Sequence, residues 1–279
     1  MTAVAAGVTP QWLRLREPAD AEARSPALAR MLVRALEGRS PVAVVHDLGS
    51  GTGSMGRWLA PLLPGPQHWV LHDRDRGLLA AAAADPPAAA ADGAAVTVET
   101  REGDLTRLRA ADLTGAALVT ASALLDMLTA EELERTVRSC VAAACPALLT
   151  LSVTGHVRLT PAEDLDTRLE AAFNDHQRRT TDGRSLLGPD AAAAAVGLFT
   201  NAGWRVHGRP SPWRLDAASA DLTAEWLDGW VGAACEQRPE LAAGGADHLA
   251  RRRAELGQGR LSVAVGHLDL LALPPGSGE

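Results

Sequence analysis

Val42-Ala43-Val44-Val45-His46-Asp47-Leu48-Gly49-Ser50-Gly51-Thr52-Gly53 begins as an unbroken apolar run and ends with glycine at every second position. Four apolar residues in a row, with no polar face, suit a strand covered on both sides, the setting of a central parallel strand. Glycines 49, 51 and 53 let the backbone turn sharply and let a ligand come close without meeting a Cβ. A helix is predicted next, from Met55 to Leu63. Strand, glycine turn and helix make the first half of a βαβ unit, and this unit decides the fold.

The pattern repeats outward from it. Strands are predicted over His68 to His72, Ala95 to Arg101, Ala117 to Ala121 and Ala147 to Val153, with helices through Ala84 and from Ala130 to Ala144. Such alternation means right-handed crossovers and a parallel sheet. Pro189 to Ala202 reads as a helix closed by Gly203, and Trp204 to Arg209 as a strand. Leu261 to Leu271 reads as a last strand, lying antiparallel to that one. The expected class is α/β, a doubly wound, mostly parallel seven-stranded sheet with helices on both faces and helical cap insertions. Residues 1–40 are expected as an N-terminal helical cap, with Ser25-Pro26 starting a helix that carries Leu28, Met31, Leu32 and Leu36. The main domain is expected over 41–273, with insertions at about 156–187 and 216–257. Residues 274–279 are expected as a disordered tail.

Composition narrows the chemistry. The 279 residues are 47% hydrophobic, enough for one large core, and the formal net charge is -7. The chain contains no lysine, which removes Schiff-base and P-loop lysine mechanisms. An acidic chain is a poor partner for a polyanion, so nucleic acid is not the expected partner. Cys140, Cys145 and Cys235 have neither an even count nor zinc spacing, and no histidine pair has a metal spacing, so no metal is expected. With neither a secretory leader pattern nor a membrane-length apolar run, the chain is expected to be cytoplasmic and without a membrane partner.

The glycine loop admits two readings. Gly51-Thr52-Gly53-Ser54-Met55-Gly56 formally matches a dinucleotide fingerprint. A pyrophosphate there would meet the carboxylate of Asp47, two residues before the first glycine, and be repelled by it. A ligand bearing an ammonium would be neutralised by the same carboxylate. S-adenosyl-L-methionine (SAM) has that ammonium and no phosphate, so Asp47 favours SAM over NAD.

Asp47 to Gly53 resembles the first motif of the class I SAM-dependent methyltransferases, and three further positions fall where that family expects them. Asp73, in His72-Asp73-Arg74-Asp75, closes the second strand, where an acid accepts from ribose hydroxyls. An acid there also suits NAD. By the resemblance, Asp104 in Glu102-Gly103-Asp104-Leu105 would accept from the adenine amino group. Ala121-Ser122-Ala123-Leu124-Leu125-Asp126 would lie in the loop facing the transferred methyl. The resemblance covers residues 40 to 155 and implies SAM as cofactor. Its expected contacts are Asp47, Gly49, Ser50, Gly51, Gly53, Asp73, Arg74, Asp104, Leu105 and Ser122. The fourth motif departs from the Asn-Pro-Pro-aromatic form of many nucleic-acid and protein N-methyltransferases, which turns the expectation toward a small-molecule acceptor. More narrowly, the chain resembles actinobacterial-type methyltransferases with this Leu-Val-Thr-Ala-Ser-Ala-Leu-Leu-Asp pattern.

Methyl transfer from a sulfonium needs alignment and a dry pocket, and sometimes a base. Three residues are candidate bases or acceptor contacts. His156 follows the fifth predicted strand and reads either as a base or as an exposed loop histidine. His176 reads either as a lid residue or as part of a solvated helix face. Asp126 reads either as a group over the methyl or as the cap of the helix starting near Thr129. Trp226 and Trp230 share a helix face and read as core, or as an aromatic wall for the acceptor. The expected reaction is methyl transfer to oxygen or nitrogen of a small molecule. The alternatives are an rRNA or tRNA methyltransferase, a non-catalytic SAM-binding scaffold and an NAD-dependent oxidoreductase.

Overall fold

A computed structural model describes residues 8–38 and 40–276. Two helices open the chain, α1 (Pro10–Ala23) and α2 (Pro26–Leu36), the second capped by Ser25 Oγ, which accepts from the Leu28 N–H. The alternating part runs β1 (Ala43–Leu48), α3 (Ser54–Leu59), β2 (Gln67–Asp73), α4 (Arg76–Ala84), β3 (Val96–Glu102), β4 (Leu118–Ser122), α5 (Ala130–Ala143) and β5 (Ala147–Thr160). After it come α6 (Asp164–Gln177), a short hairpin of β6 (Thr180–Thr181) and β7 (Arg184–Ser185), and α7 (Ala191–Asn201). The chain closes with β8 (Arg205–Pro210), β9 (Trp213–Leu215), α8 (Ala220–Gln237), α9 (Ala242–Gly257) and β10 (Ser262–Leu273).

The main sheet has the order β3-β2-β1-β4-β5-β10-β8, with β9 pairing alongside β10. The first five strands are parallel, and β10 is antiparallel to β8, as the sequence predicts, and also to β5, between which two strands it lies. The chain builds outward from β1 to β3 and then returns to place β4 on the other side of β1. Strand order therefore reverses between β1 and β4, and in open α/β sheets ligands bind outside the carboxyl ends of strands at such a point.

Side-chain alternation along the strands feeds two cores. Leu48, Val119 and Leu149 pack with Leu133, Val137 and Phe199 of α5 and α7. Val45, Trp69, Leu118 and Leu148 pack on the other face with Leu28, Leu32, Leu59 and Leu79 of α2, α3 and α4. A third core joins Leu159, Val263 and Val265 to Trp213, Leu169, Leu227 and Trp230, so the helices after β5 rest on an extension of the sheet.

That extension departs from the expectation. The sequence reads β5 as ending at Val153, with an insertion beginning at about 156. The strand continues to Thr160, paired with β10 from Ser262 to Val265. Gly155 takes φ +78° inside it, where Asn174 packs against the glycine and its Nδ2 donates to the Gly155 carbonyl at 2.9 Å. Irregular pairing between Val265 and His267 lets the two strands bend together. The tail also differs in part: Pro274 is buried against the fold, and residues 277–279 lie outside the described residues.

Candidate functional site

A cleft of about 270 Å³ opens at the carboxyl ends of β1, β2 and β4, where the strand order predicts a ligand site. Its floor is the glycine loop, and its roof is α1, through Leu13, Arg16 and Asp20. Val8 and Met127, 54% and 45% exposed, sit at the mouth among Leu13, Leu124 and Leu128, which makes the outer rim apolar.

The loop is held in shape from below. Gly49, Gly51 and Gly53 take φ of +64°, +54° and +84°, the left-handed region that side chains with a Cβ resist. The Gly51 N–H donates to Asp73 Oδ2 at 2.9 Å, and the Asp75 N–H donates to Asp73 Oδ1 at 2.9 Å. Asp73 thus ties the loop to the end of β2 while each oxygen keeps acceptor capacity toward the cleft. A further tie runs from the Ser50 N–H to the His72 carbonyl at 3.0 Å. Under it, His46 of β1 is buried with its Nδ1 2.9 Å from His72 Nε2 in a stacked pair. One ring donates and the other accepts, and burial pushes both histidines down to about 4.

Asp47 is the most unusual group in the cleft. It is buried, and only one oxygen is satisfied: the Thr120 hydroxyl donates to Oδ1 at 2.7 Å, while Oδ2 has no partner. Loss of solvent pushes its carboxyl up to about 7, against the opposing pull of the Thr120 hydrogen bond and of Arg24. Ser50 Oγ and Thr52 Oγ1, buried in the same wall, also lack partners. Buried polar atoms are nearly always bonded. Three such atoms on residues that line one cleft fit a polar ligand with a cationic end.

At the other end of the cleft, Asp104 Oδ1 accepts the Thr106 N–H at 2.9 Å, and its hydrogen bonds hold the carboxyl below its usual range. Arg184 of β7 reaches this end, paired with both oxygens of Glu132 at 2.9 and 2.6 Å.

Of the residues singled out from sequence, Asp47, Gly49, Ser50, Gly51, Asp73, Arg74, Asp104, Leu105 and Ser122 all line this one cleft. Gly53 does not line it; it turns the chain into α3 beside Ala82 and Arg57. Asp126 lies half-buried in the one-turn helix Leu125–Met127, whose neighbours Leu124, Met127 and Leu128 form the rim. Burial pushes its carboxyl up to about 6. It does not cap α5: Thr129 does, in a reciprocal box with Glu132.

His156 and His176 are not brought to the cleft. His156 is exposed on β5, because the strand carries it past the sheet edge. His176 is buried near Arg179 and Glu236, because α6 packs on α8 instead of closing over the sheet. From the segment 161–187 only Arg184 reaches the cleft, and from 216–257 no residue does. Trp226 and Trp230 stack on each other in the third core, with ring centroids 5.3 Å apart. Sequence reasoning missed Arg16, Asp20, Ser54 and Arg184 in the wall, and Arg24 behind it. Nothing in their local sequence marks them; α1 and the hairpin are brought there by tertiary packing.

No family model matches the chain, and no curated protein matches it. Among solved structures, a protein assigned as a type II methyltransferase from Anaeromyxobacter dehalogenans superposes with a TM-score of 0.52 at 16% identity, over 89% of this chain and 95% of that one. The chain has the class I SAM-dependent methyltransferase fold. A cyclopropane synthase from Mycobacterium tuberculosis superposes with a TM-score of 0.49 at 14% identity, over 95% of this chain and 94% of that one. On the class I fold the glycine loop after β1 and the acids after β2 and β3 share one edge, and that edge carries the cleft. Among the described residues no helix is long and apolar enough to cross a membrane, and no group of three or more His, Cys, Asp or Glu is placed to hold a metal.

Proposed function

We propose that the protein is a SAM-dependent methyltransferase acting on an oxygen or nitrogen of a small-molecule acceptor. The observation that carries this reading is the half-satisfied, buried carboxylate of Asp47 beside three left-handed glycines. An anion there opposes a pyrophosphate and seats an ammonium, which favours SAM over a dinucleotide. Asp47 would hold the ammonium, Asp73 the ribose hydroxyls, and Asp104 with Leu105 the adenine. SAM supplies an electrophilic methyl on a sulfonium. The chain aligns the acceptor, keeps water out and, where the acceptor carries a proton, removes it.

The roof formed by α1 and the apolar rim supports a dry, enclosed acceptor site. Asp126 sits between the rim residues Leu124 and Met127 but does not itself line the cleft, so the structure gives alignment and exclusion of water more support than a side-chain base. The exposure of His156 and the remote packing of His176 favour a mechanism without either. A nucleic-acid acceptor has little support: Arg178, Arg251, Arg252 and Arg253 are paired with Asp190, Glu163, Asp166 and Asp228 and leave no free basic face among themselves.

Thermal melts with SAM, S-adenosylhomocysteine and NAD test the cofactor. A ligand at 100 times its dissociation constant adds about 2.7 kcal/mol. SAM and its product are expected to stabilise the wild type and to lose most of that effect in Asp47→Ala and Asp73→Ala. Stabilisation by NAD alone would overturn the reading.

A further inference from the structure

A fully buried guanidinium stands directly behind the cleft wall. Arg24 ends α1, with 1% of its surface exposed, in the short link to α2. Its Nη2 donates to Ser54 Oγ at 3.1 Å and to Ser122 Oγ at 3.0 Å, and its Nη1 reaches the Ser54 carbonyl at 3.5 Å. Its Nε is buried without a partner. Among the described residues no carboxylate oxygen lies within 4 Å of it. Asp20, Asp47 and Asp269 stand near enough to act on its charge. Two of these are committed elsewhere. Asp20 accepts from Arg16 and from Trp213 Nε1, and Asp269 accepts from the Ser25 and Leu151 N–H groups and the Ser211 hydroxyl. The guanidinium also lies over the Trp58 ring, 5.6 Å from its centroid, but a buried charge is costly without a bonded counter-charge, so an arginine held by neutral oxygens and one ring face needs an explanation.

The explanation lies in the two serines, both of which line the cleft. Each hydroxyl oxygen accepts an N–H from Arg24, which leaves its own proton to be donated elsewhere. Neither proton has an acceptor among the hydrogen bonds of the described residues. Two O–H donors polarised by one positive charge form a seat for an anion. The unsatisfied Oδ2 of Asp47, in the same wall, forms a seat for a cation. A carboxylate and an ammonium on one carbon match the two seats together.

We propose that Arg24, acting through Ser54 and Ser122, forms with Asp47 a clamp for a zwitterionic α-amino acid end. The clamp selects SAM against decarboxylated SAM, which keeps the ammonium and lacks the carboxylate. This rests on the cofactor reading above. Ser54 and Ser122 touch the ligand, and Arg24 is a positioning residue that orients and polarises them.

Calorimetric titration of SAM and decarboxylated SAM into the wild type, Arg24→Met and the double variant Ser54→Ala/Ser122→Ala tests it. The wild type is expected to prefer SAM by about 10- to 100-fold, the worth of hydrogen bonds to a charged group. In both variants that preference falls to within about twofold, while decarboxylated SAM binds as it does to the wild type. A purely structural arginine would weaken both ligands together, and that result overturns the clamp. If Arg24→Met fails to fold, the serine variant decides, since it leaves the buried charge in place. Equal binding of the two compounds to the wild type overturns the clamp and leaves the cofactor reading standing. Binding of neither overturns both.

Discussion

Asp47 concentrates the chemistry of the cleft, and its ionisation gives a pH dependence of definite sign. In the unfolded chain its carboxyl ionises near 4, whereas in the fold burial holds the proton to about 7. Between those values the folded state binds the extra proton, so this residue lowers stability as pH rises through the window and adds nothing further above it. An ammonium ligand needs the ionised form. SAM affinity is therefore expected to rise about tenfold per unit of pH up to about 7, and to fall again above about 8 as the ligand's own amine loses its proton. Asp47→Asn should bind SAM more weakly and lose the acid limb. Calorimetry between pH 5.5 and 8.5 checks this, and an unchanged acid limb in the variant would assign the titration to another group. The glycines and the acid after β2 were legible in the sequence because each sits at a fixed offset from a strand end, and the acid after β3 was legible through the family resemblance. Arg24 was not, because only folding sets it behind Ser54 and Ser122, 30 and 98 residues away.

Helix α1 is the element that turns an open loop into a roofed cleft. Leu13 lies over Gly51, and Arg57 of α3 clamps the helix from below. The Arg57 Nε and Nη2 donate to Glu17 at 2.7 and 2.6 Å, and its Nη1 donates to the carbonyls of Thr52 and Asp85 at 2.7 and 2.9 Å. One side chain thus links the roof, the glycine loop and the end of α4. Arg57→Met is expected to speed tryptic cleavage at Arg14 and Arg16 by about tenfold or more, since losing bonds to a charged group lowers the free energy of local opening by about 1.5–3 kcal/mol. Saturating SAM should slow that cleavage in the wild type. Equal protease sensitivity of both proteins would show that α1 is held by its apolar packing instead. The sequence marked α2 as a helix from its Ser25-Pro26 start and its spacing, and placed α1 within a helical N-terminal cap. Their destination was not legible, since an amphipathic helix carries no label for the surface that covers it.

Across the whole molecule, the helices that follow β5 serve stability, and the first half of the chain supplies nearly all of the cleft. Trp230 is buried, stacked on Trp226 and packed in the third core. Trp230→Ala is expected to cost about 3–5 kcal/mol, as deletion of a large buried aromatic does, and to leave the SAM-induced melting shift unchanged. A full-strength fold with altered ligand binding would return these tryptophans to the acceptor wall. Below them, Arg252 is fully buried with Asp166 at 2.7 Å and Glu255 at 2.9 Å, so the charged face of α9 is used inside the molecule. The run Arg251-Arg252-Arg253 is spent there on internal and surface ion pairs.

By itself the sequence determined the sheet, its parallel half, the antiparallel return of the last strand and the acids that face the cleft. The strands and their order of direction follow from local periodicity and from turns that need glycine, while the acid after β3 was marked by the family resemblance. Only the tertiary structure decided that β5 runs on past Gly155, that α6 lies on α8, and that Arg24 stands behind the wall in which Asp47 sits. The physical reason is range. Strands and turns are set by neighbours a few residues apart, whereas a buried charge is placed by partners that only the packed fold brings within reach.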